Sequence, residues 1–312
     1  MPGFLTHYIA GQAVLGSTKP GIRKIIENGE RLYNLGTQGP DIFFYYIPGT
    51  IRKRSRGVGT QMHRNDLGKF LTQMAEVAKS SPEAERDIIF AYTAGFIMHY
   101  AVDANTHPYV YARTHQQDAS NIKNSTDHRR FETAIDTAML KLVAGKTPSA
   151  YKQWQLIAAD PAHMKIAATA TGSVLAKIYN RQIPSKDIYR AMRHMVRLTR
   201  LIQSRKGRRK RFVGLVENLT IGHPLNSSLV HDQAVDPNTD YLNEKNTPWQ
   251  APWEDTVTCT DSFIDRYHAA TREGFEMIQH LHAFIYEDMQ LTTLAEKLGN
   301  RSLKTGLTCE PS

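Results

Sequence analysis

Apolar residues recur along most of this chain at the three-and-four spacing of an α-helix. No convincing run of the alternating strand pattern interrupts them. The pattern predicts helices over roughly 5–16, 61–79, 126–144, 161–179, 185–204 and 261–298. The clearest start lies in SSPEAERDIIFAYTAGFIMHYAVDANTHP. Ser81 is expected to cap that helix, Pro82 fits its first turn, and Glu83, Glu85 and Asp87 suit the positive end of its dipole. Pro108 is expected to end it, because proline disfavours helix at the residue before it. Segment 222–257, rich in Pro, Asn and Asp, reads as a long irregular connection of the kind used as a functional loop or lid. The fold class is all-α. The expected division is 1–145 and a C-terminal helical region, 146–312.

Composition narrows the field. The chain has 312 residues, 41% hydrophobic and 22% charged, enough for one large core or two smaller ones and unlike a disordered sequence. Its two cysteines, Cys259 and Cys309, stand outside any CxxC pair, which argues against a disulfide framework and a cysteine zinc site. A formal charge of +9 suits an anionic partner, whether lipid surface, nucleic acid or phosphate ester, and equally suits plain solubility. No apolar run approaches the ~18 residues of a membrane span. MPGFLTHYIAGQAVLG lacks a basic leader, so the expected location is cytoplasmic.

Candidate chemistry changes the picture most. In HYAVDANTHPYVY, His99, Asp103 and His107 are each four residues apart, continuing a row that begins with Ala91 and Gly95. Side chains four apart on a helix have Cβ atoms roughly 5–6 Å from each other, so an imidazole and a carboxylate can close on one divalent ion. For one such pair, an ordinary His–Asp hydrogen bond explains as much. A second pair follows in DHRRFETAID, His128 and Glu132, and upstream lie His7, Asp41 in QGPD, and His63. Each alone has a plain structural explanation: a buried helix histidine, a helix cap, a solvated side chain. Together they place eight potential ligands in the first 132 residues, two pairs of them at chelating spacing.

The order His, GPD, lone His, HxxxD with a His and Pro soon after, then HxxxE resembles the zinc-dependent phospholipase C family, which shares its helical fold with the S1/P1-type single-strand nucleases. The resemblance covers about the first 140 residues. It implies a helical bundle holding three zinc ions that cleave phosphodiesters. Carried over, it gives Asp41, His63, His99 and Asp103 to one zinc. A second takes His7, Asp103 and the free amino terminus. The third takes His128, Glu132 and one more histidine. That histidine departs from the family pattern. The family position falls on Tyr109, so His107 is expected to substitute, with His115 in reserve. Removal of Met1 would leave the amine and carbonyl of Pro2 five residues before His7, the separation seen in the nuclease branch.

The implied mechanism is attack on phosphorus by a water that zinc acidifies to a pKa of about 7, with Asp41 orienting that water. No Ser/His/Asp pattern competes, and KPGIRK and GVGTQ lack the spacing of a phosphate-binding loop. Phospholipid is the expected substrate, nucleic acid the alternative, and a non-catalytic metal-stabilised helical protein a third reading. The basic runs IRKRSRG (51–57) and SRKGRRKRF (204–212) could meet an anionic membrane or nucleic acid, or simply be solvated. Phe43, Phe44, Tyr45 and Tyr46 could line a pocket or pack in the core.

Overall fold

Residues 89–104 are buried without a break, and a helix apolar on every side belongs at the centre of a bundle. The computed structural model describes residues 3–45, 54–114, 122–202, 231–254 and 256–310. Among these, twelve α-helices and no strands are present. Helix α6 (Glu83–Thr114) forms the axis. Around it pack α1 (Phe4–Ser17), α3 (Glu30–Gly36), α5 (Leu67–Ser80), α7 (Ile122–Ala144), α9 (Pro161–Tyr179) and α11 (Phe263–Tyr286). The remaining helices are α2 (Pro20–Asn28), α4 (Arg54–Arg64), α8 (Gln153–Leu156), α10 (Ser185–Ile202) and α12 (Leu291–Leu298).

Two glycines let α3 approach the axis. A Cβ on Gly95 would lie 2.1 Å from the Tyr33 carbonyl oxygen, and one on Gly36 would lie 2.3 Å from that of Tyr92. Backbone fills the space that side chains occupy elsewhere, which holds the turn after α3 against the ligand-bearing half of α6. Gly95→Ala is therefore expected to push α3 outward and lower stability by about 2–3 kcal/mol, the upper range for overpacking a core. The midpoint of a urea titration measures it.

Several predicted limits move. Pro108 does not end α6, which continues to Thr114. The hairpin-like segment 299–309, tied by an Arg301–Thr308 bridge, lies over that stretch. Its Gly306 (φ +71°) comes so close that a Cβ would lie 2.5 Å from the Ala104 carbonyl, the acceptor a non-proline residue 108 would have used. Tertiary packing thus sustains the helix across the proline. Ser81 does not cap α6, since its hydroxyl donates backwards to Val77 O at 2.7 Å. The predicted helix 61–79 is broken at Asp66, which adopts φ +59°. The predicted helix 261–298 divides at Glu287, whose backbone is extended. Helices α2 and α3 were not anticipated. In segment 222–257, residues 231–254, 256 and 257 carry no helix, and Trp249 pairs with Cys259; the other ten lie outside the described residues. So do Met1, Pro2, Tyr46, residues 51–53, His115 and the run 204–212.

Candidate metal centre

Five elements of the bundle deliver the candidate side chains. His99, Asp103 and His107 descend one face of α6, His7 comes from α1, His63 from the last turn of α4, and His128 with Glu132 from α7. Asp41 sits in a short 3₁₀ turn, Gly39–Phe43. Gly39 makes that turn possible, for it has φ +49° and a Cβ there would lie 2.4 Å from the His99 ring.

Four of the imidazoles converge on Asp103, which is 0% exposed. Its Oδ1 lies 3.2 Å from His7 Nε2 and 3.8 Å from His107 Nε2. Its Oδ2 lies 3.1 Å from His99 Nε2 and 3.9 Å from His63 Nε2. His63 Nε2 is also 3.3 Å from Asp41 Oδ1. Beyond Asp103, Glu132 Oε1 stands 2.8 Å from His128 Nε2 and 3.9 Å from His107 Nε2. Three groups could each hold a metal ion: His7, His99 and Asp103; Asp41, His63 and His99; and His107, His128 and Glu132. Tyr109 points elsewhere, its hydroxyl donating to Tyr241 O at 2.8 Å.

The far side of each ring fixes what the near side offers. His99 Nδ1 donates to Thr37 O at 3.2 Å, His63 Nδ1 to Gly59 O at 2.7 Å, and His107 Nδ1 to Leu303 O. A carbonyl can only accept, so each Nδ1 carries the proton and, in the neutral ring, Nε2 keeps its lone pair. His128 follows by one more step. The Thr114 hydroxyl donates to Val110 O, so it accepts from His128 Nδ1 at 3.1 Å. In their neutral form these rings present Nε2 lone pairs to carboxylate oxygens across 2.8–3.3 Å, an arrangement that repels unless a cation lies between. Two ligands at about 2.0–2.2 Å on a tetrahedral zinc ion stand about 3.3–3.6 Å apart, close to the His63–Asp41 and His99–Asp103 separations, and the imidazole and carboxylate donors suit such an ion.

Hydrogen bonding points the same way. His7 Nε2, His99 Nε2, His107 Nε2, Asp41 Oδ1 and both oxygens of Asp103 are buried without a hydrogen-bond partner, which a fold tolerates only where something else satisfies them. Burial lowers the pKa of His7, and holds those of His107 and His128 well below the ordinary imidazole value. These three rings are thus neutral, the ligating form, near pH 7. Burial opposes charge on His99 as well, yet Asp103 and the Thr37 carbonyl raise its pKa, so it gives up a proton less readily. Asp103 is held well below the usual carboxylate range by His107, His99 and His7, against the opposing effect of burial.

One supporting residue escaped the sequence analysis. Asp136, fully buried on α7, accepts from Leu5 N and Thr6 N at 2.8 Å, from the Thr6 hydroxyl at 2.6 Å and from His231 Nε2 at 2.6 Å. It caps α1 from another helix and so sets the height of His7. Its signal was present: Asp136 extends the row of His128 and Glu132 by four residues. Around the centre, Phe44 lies with its ring centroid 5.4 Å from that of His63, and Tyr111 4.9 Å from His128 and 5.4 Å from Trp253. Phe43 is in the core.

A family profile described as zinc dependent phospholipase C matches residues 3–192, which contain every candidate ligand present in the described residues. No curated protein and no solved structure matches the chain. A match over more than half its length, on a helical fold with donor groups suited to zinc, places the chain in the zinc-dependent phospholipase C family.

Proposed function

We propose that this protein is a zinc-dependent phosphoric diester hydrolase acting on phospholipid in the manner of a phospholipase C. The observation that carries the reading is the convergence of four imidazole Nε2 atoms on the unpartnered oxygens of Asp103. Asp41, His63, His99 and Asp103 would hold one ion, and His7 with Asp103 a second. The amine of Pro2 is a further candidate ligand if Met1 is removed. His107, His128 and Glu132 would hold a third. Bound zinc supplies an acidified water and draws charge from the phosphate oxygens. The protein's part is to orient and to hold protons. Asp41 would also orient the attacking water, and the carbonyls of Thr37, Gly59 and Leu303 keep the rings in the ligating tautomer. Tyr111, its pKa raised to about 12 by burial and by Asp103, stays a neutral hydroxyl beside His107 and His128.

Metal analysis of purified protein, run beside hydrolysis assays on phosphatidylcholine and single-stranded DNA, tests this. Two to three zinc per chain with lipid turnover supports the proposal. DNA turnover alone favours a nuclease, and metal without either activity favours a structural role. His107→Ala should lower zinc content by about one ion per chain, as expected for loss of one of three protein ligands. Tyr109→Phe should leave it unchanged. Three ions retained in His107→Ala but lost in His115→Ala would move the third site's histidine to residue 115.

A further inference from the structure

Residues 181–212 hold twelve Lys and Arg against a single acidic residue, Asp187, a net +11. The whole chain carries +9, so the rest of the molecule nets −2. Helix α10 spans the first part of this segment. Its apolar side, with Ile188, Ala191, Met192 and Met195, is buried, while Lys186, Arg190, Arg193, Arg197 and Arg200 are exposed. At 3.6 residues per turn these five cations fall within an arc of about 80°, one stripe along the helix. Asp187 pairs with Arg190 at 3.0 Å. Arg193 is turned to the Tyr189 hydroxyl, and no carboxylate among the described residues pairs with Arg193 or Arg197. Like charges four apart weaken a helix, so the stripe opposes the stability of the element that bears it.

Position and one apolar residue indicate its use. Helix α10 packs against the 3₁₀ turn that carries Asp41, so the stripe rides on an element bracing the metal centre. Leu201, four residues after Arg197 on the same row, is 62% exposed. Cations flanked by an exposed leucine match the boundary of a bilayer, where headgroup phosphates adjoin an apolar phase; a nucleic acid backbone offers no such phase. We infer that the exposed face of α10 docks the protein onto anionic phospholipid membranes and so brings the metal centre to its substrate. The inference rests on the phospholipid reading for its choice of polyanion.

The test is cosedimentation of the full-length protein with phosphatidylcholine vesicles, with and without phosphatidylserine, alongside turnover of a monomeric short-chain phosphatidylcholine. Binding is expected only to the anionic vesicles and should weaken as salt rises. Each basic residue near such a surface contributes about fivefold, so a variant with Lys186, Arg193 and Arg197 all changed to Gln should bind on the order of 100-fold more weakly. Its circular dichroism and its turnover of monomeric substrate should match those of the parent. Leu201→Asn should weaken vesicle binding severalfold and leave any binding to a single-stranded oligonucleotide unchanged. Undiminished vesicle binding by the triple variant, equal binding to neutral vesicles, or tighter binding to the oligonucleotide than to anionic vesicles would each overturn the inference. Vesicle binding without hydrolysis would leave it standing while removing the hydrolase reading. Turnover of monomeric substrate without any preference for anionic vesicles would do the reverse.

Discussion

Asp103→Asn should abolish phosphodiester hydrolysis and release at least one zinc ion, although the side chain keeps its volume. Four Nε2 atoms stand within 3.9 Å of the two carboxylate oxygens, and three of those rings are locked with their lone pairs inward. Aspartate gives two anionic acceptors and can serve two ions. Asparagine gives one neutral acceptor and an amide that donates. A ring on the amide side could remain only by accepting a hydrogen bond from it, leaving the ion there without the Asp103 carboxylate. Loss of an outer partner alone typically costs 10–100-fold in metal affinity or activity, so loss of the shared ligand should exceed about 100-fold. Unchanged zinc stoichiometry by atomic absorption, together with unchanged turnover, would remove Asp103 from the centre.

The largest effect on stability is expected from Asp136→Ala. The substitution strands two backbone N–H groups of α1, the Thr6 hydroxyl and His231, all now served by one buried carboxylate. Each buried donor left without a partner costs about 1–3 kcal/mol, so with four of them a loss of at least about 4 kcal/mol is expected. That is a large part of the ~5–15 kcal/mol that keeps an ordinary domain folded. Because α1 has no side-chain cap of its own, its first turn should fray and carry His7 away from Asp103. Chemical denaturation of metal-free protein reads the stability, and zinc content reads the displacement of His7. Asp136→Asn, which keeps one oxygen acceptor, should fall between the two proteins. Equal stability of Asp136→Ala and parent would show that α1 is held by something else.

The i, i+4 rows were legible because an α-helix turns sequence spacing into spatial neighbourhood. His99, Asp103 and His107 needed only a helix under them, as did His128 and Glu132. That His7, Asp41 and His63 would reach the same point follows from helix packing, which spacing does not encode; the family's ligand order supplied it. Pro108 misled because its local preference is to end a helix, while Gly306 and the segment around it cover that stretch of α6. The division at Asp66 turned on one residue adopting a left-handed backbone, which Asn and Asp accept more readily than most. The Leu303 carbonyl that aligns His107 could not have been found from sequence, since every residue has a carbonyl and only the tertiary fold chooses one.

The hairpin-like segment 299–309 also ties the centre to the far end of the chain. Leu303 lies 196 positions from His107, Ser302 lies 239 from His63, and Cys309 lies 245 from Arg64, whose carbonyl its thiol meets. Contacts so distant along the chain carry a loop-closure cost that the packing of α11 on α6 shares, since it brings the segment close to them. Until the segment docks, His107 lacks the acceptor that fixes its tautomer, and the His63 carbonyl lacks the two donors that anchor the end of α4. The alignment of His107 within the third group of ligands therefore depends on a segment at the far end of the chain.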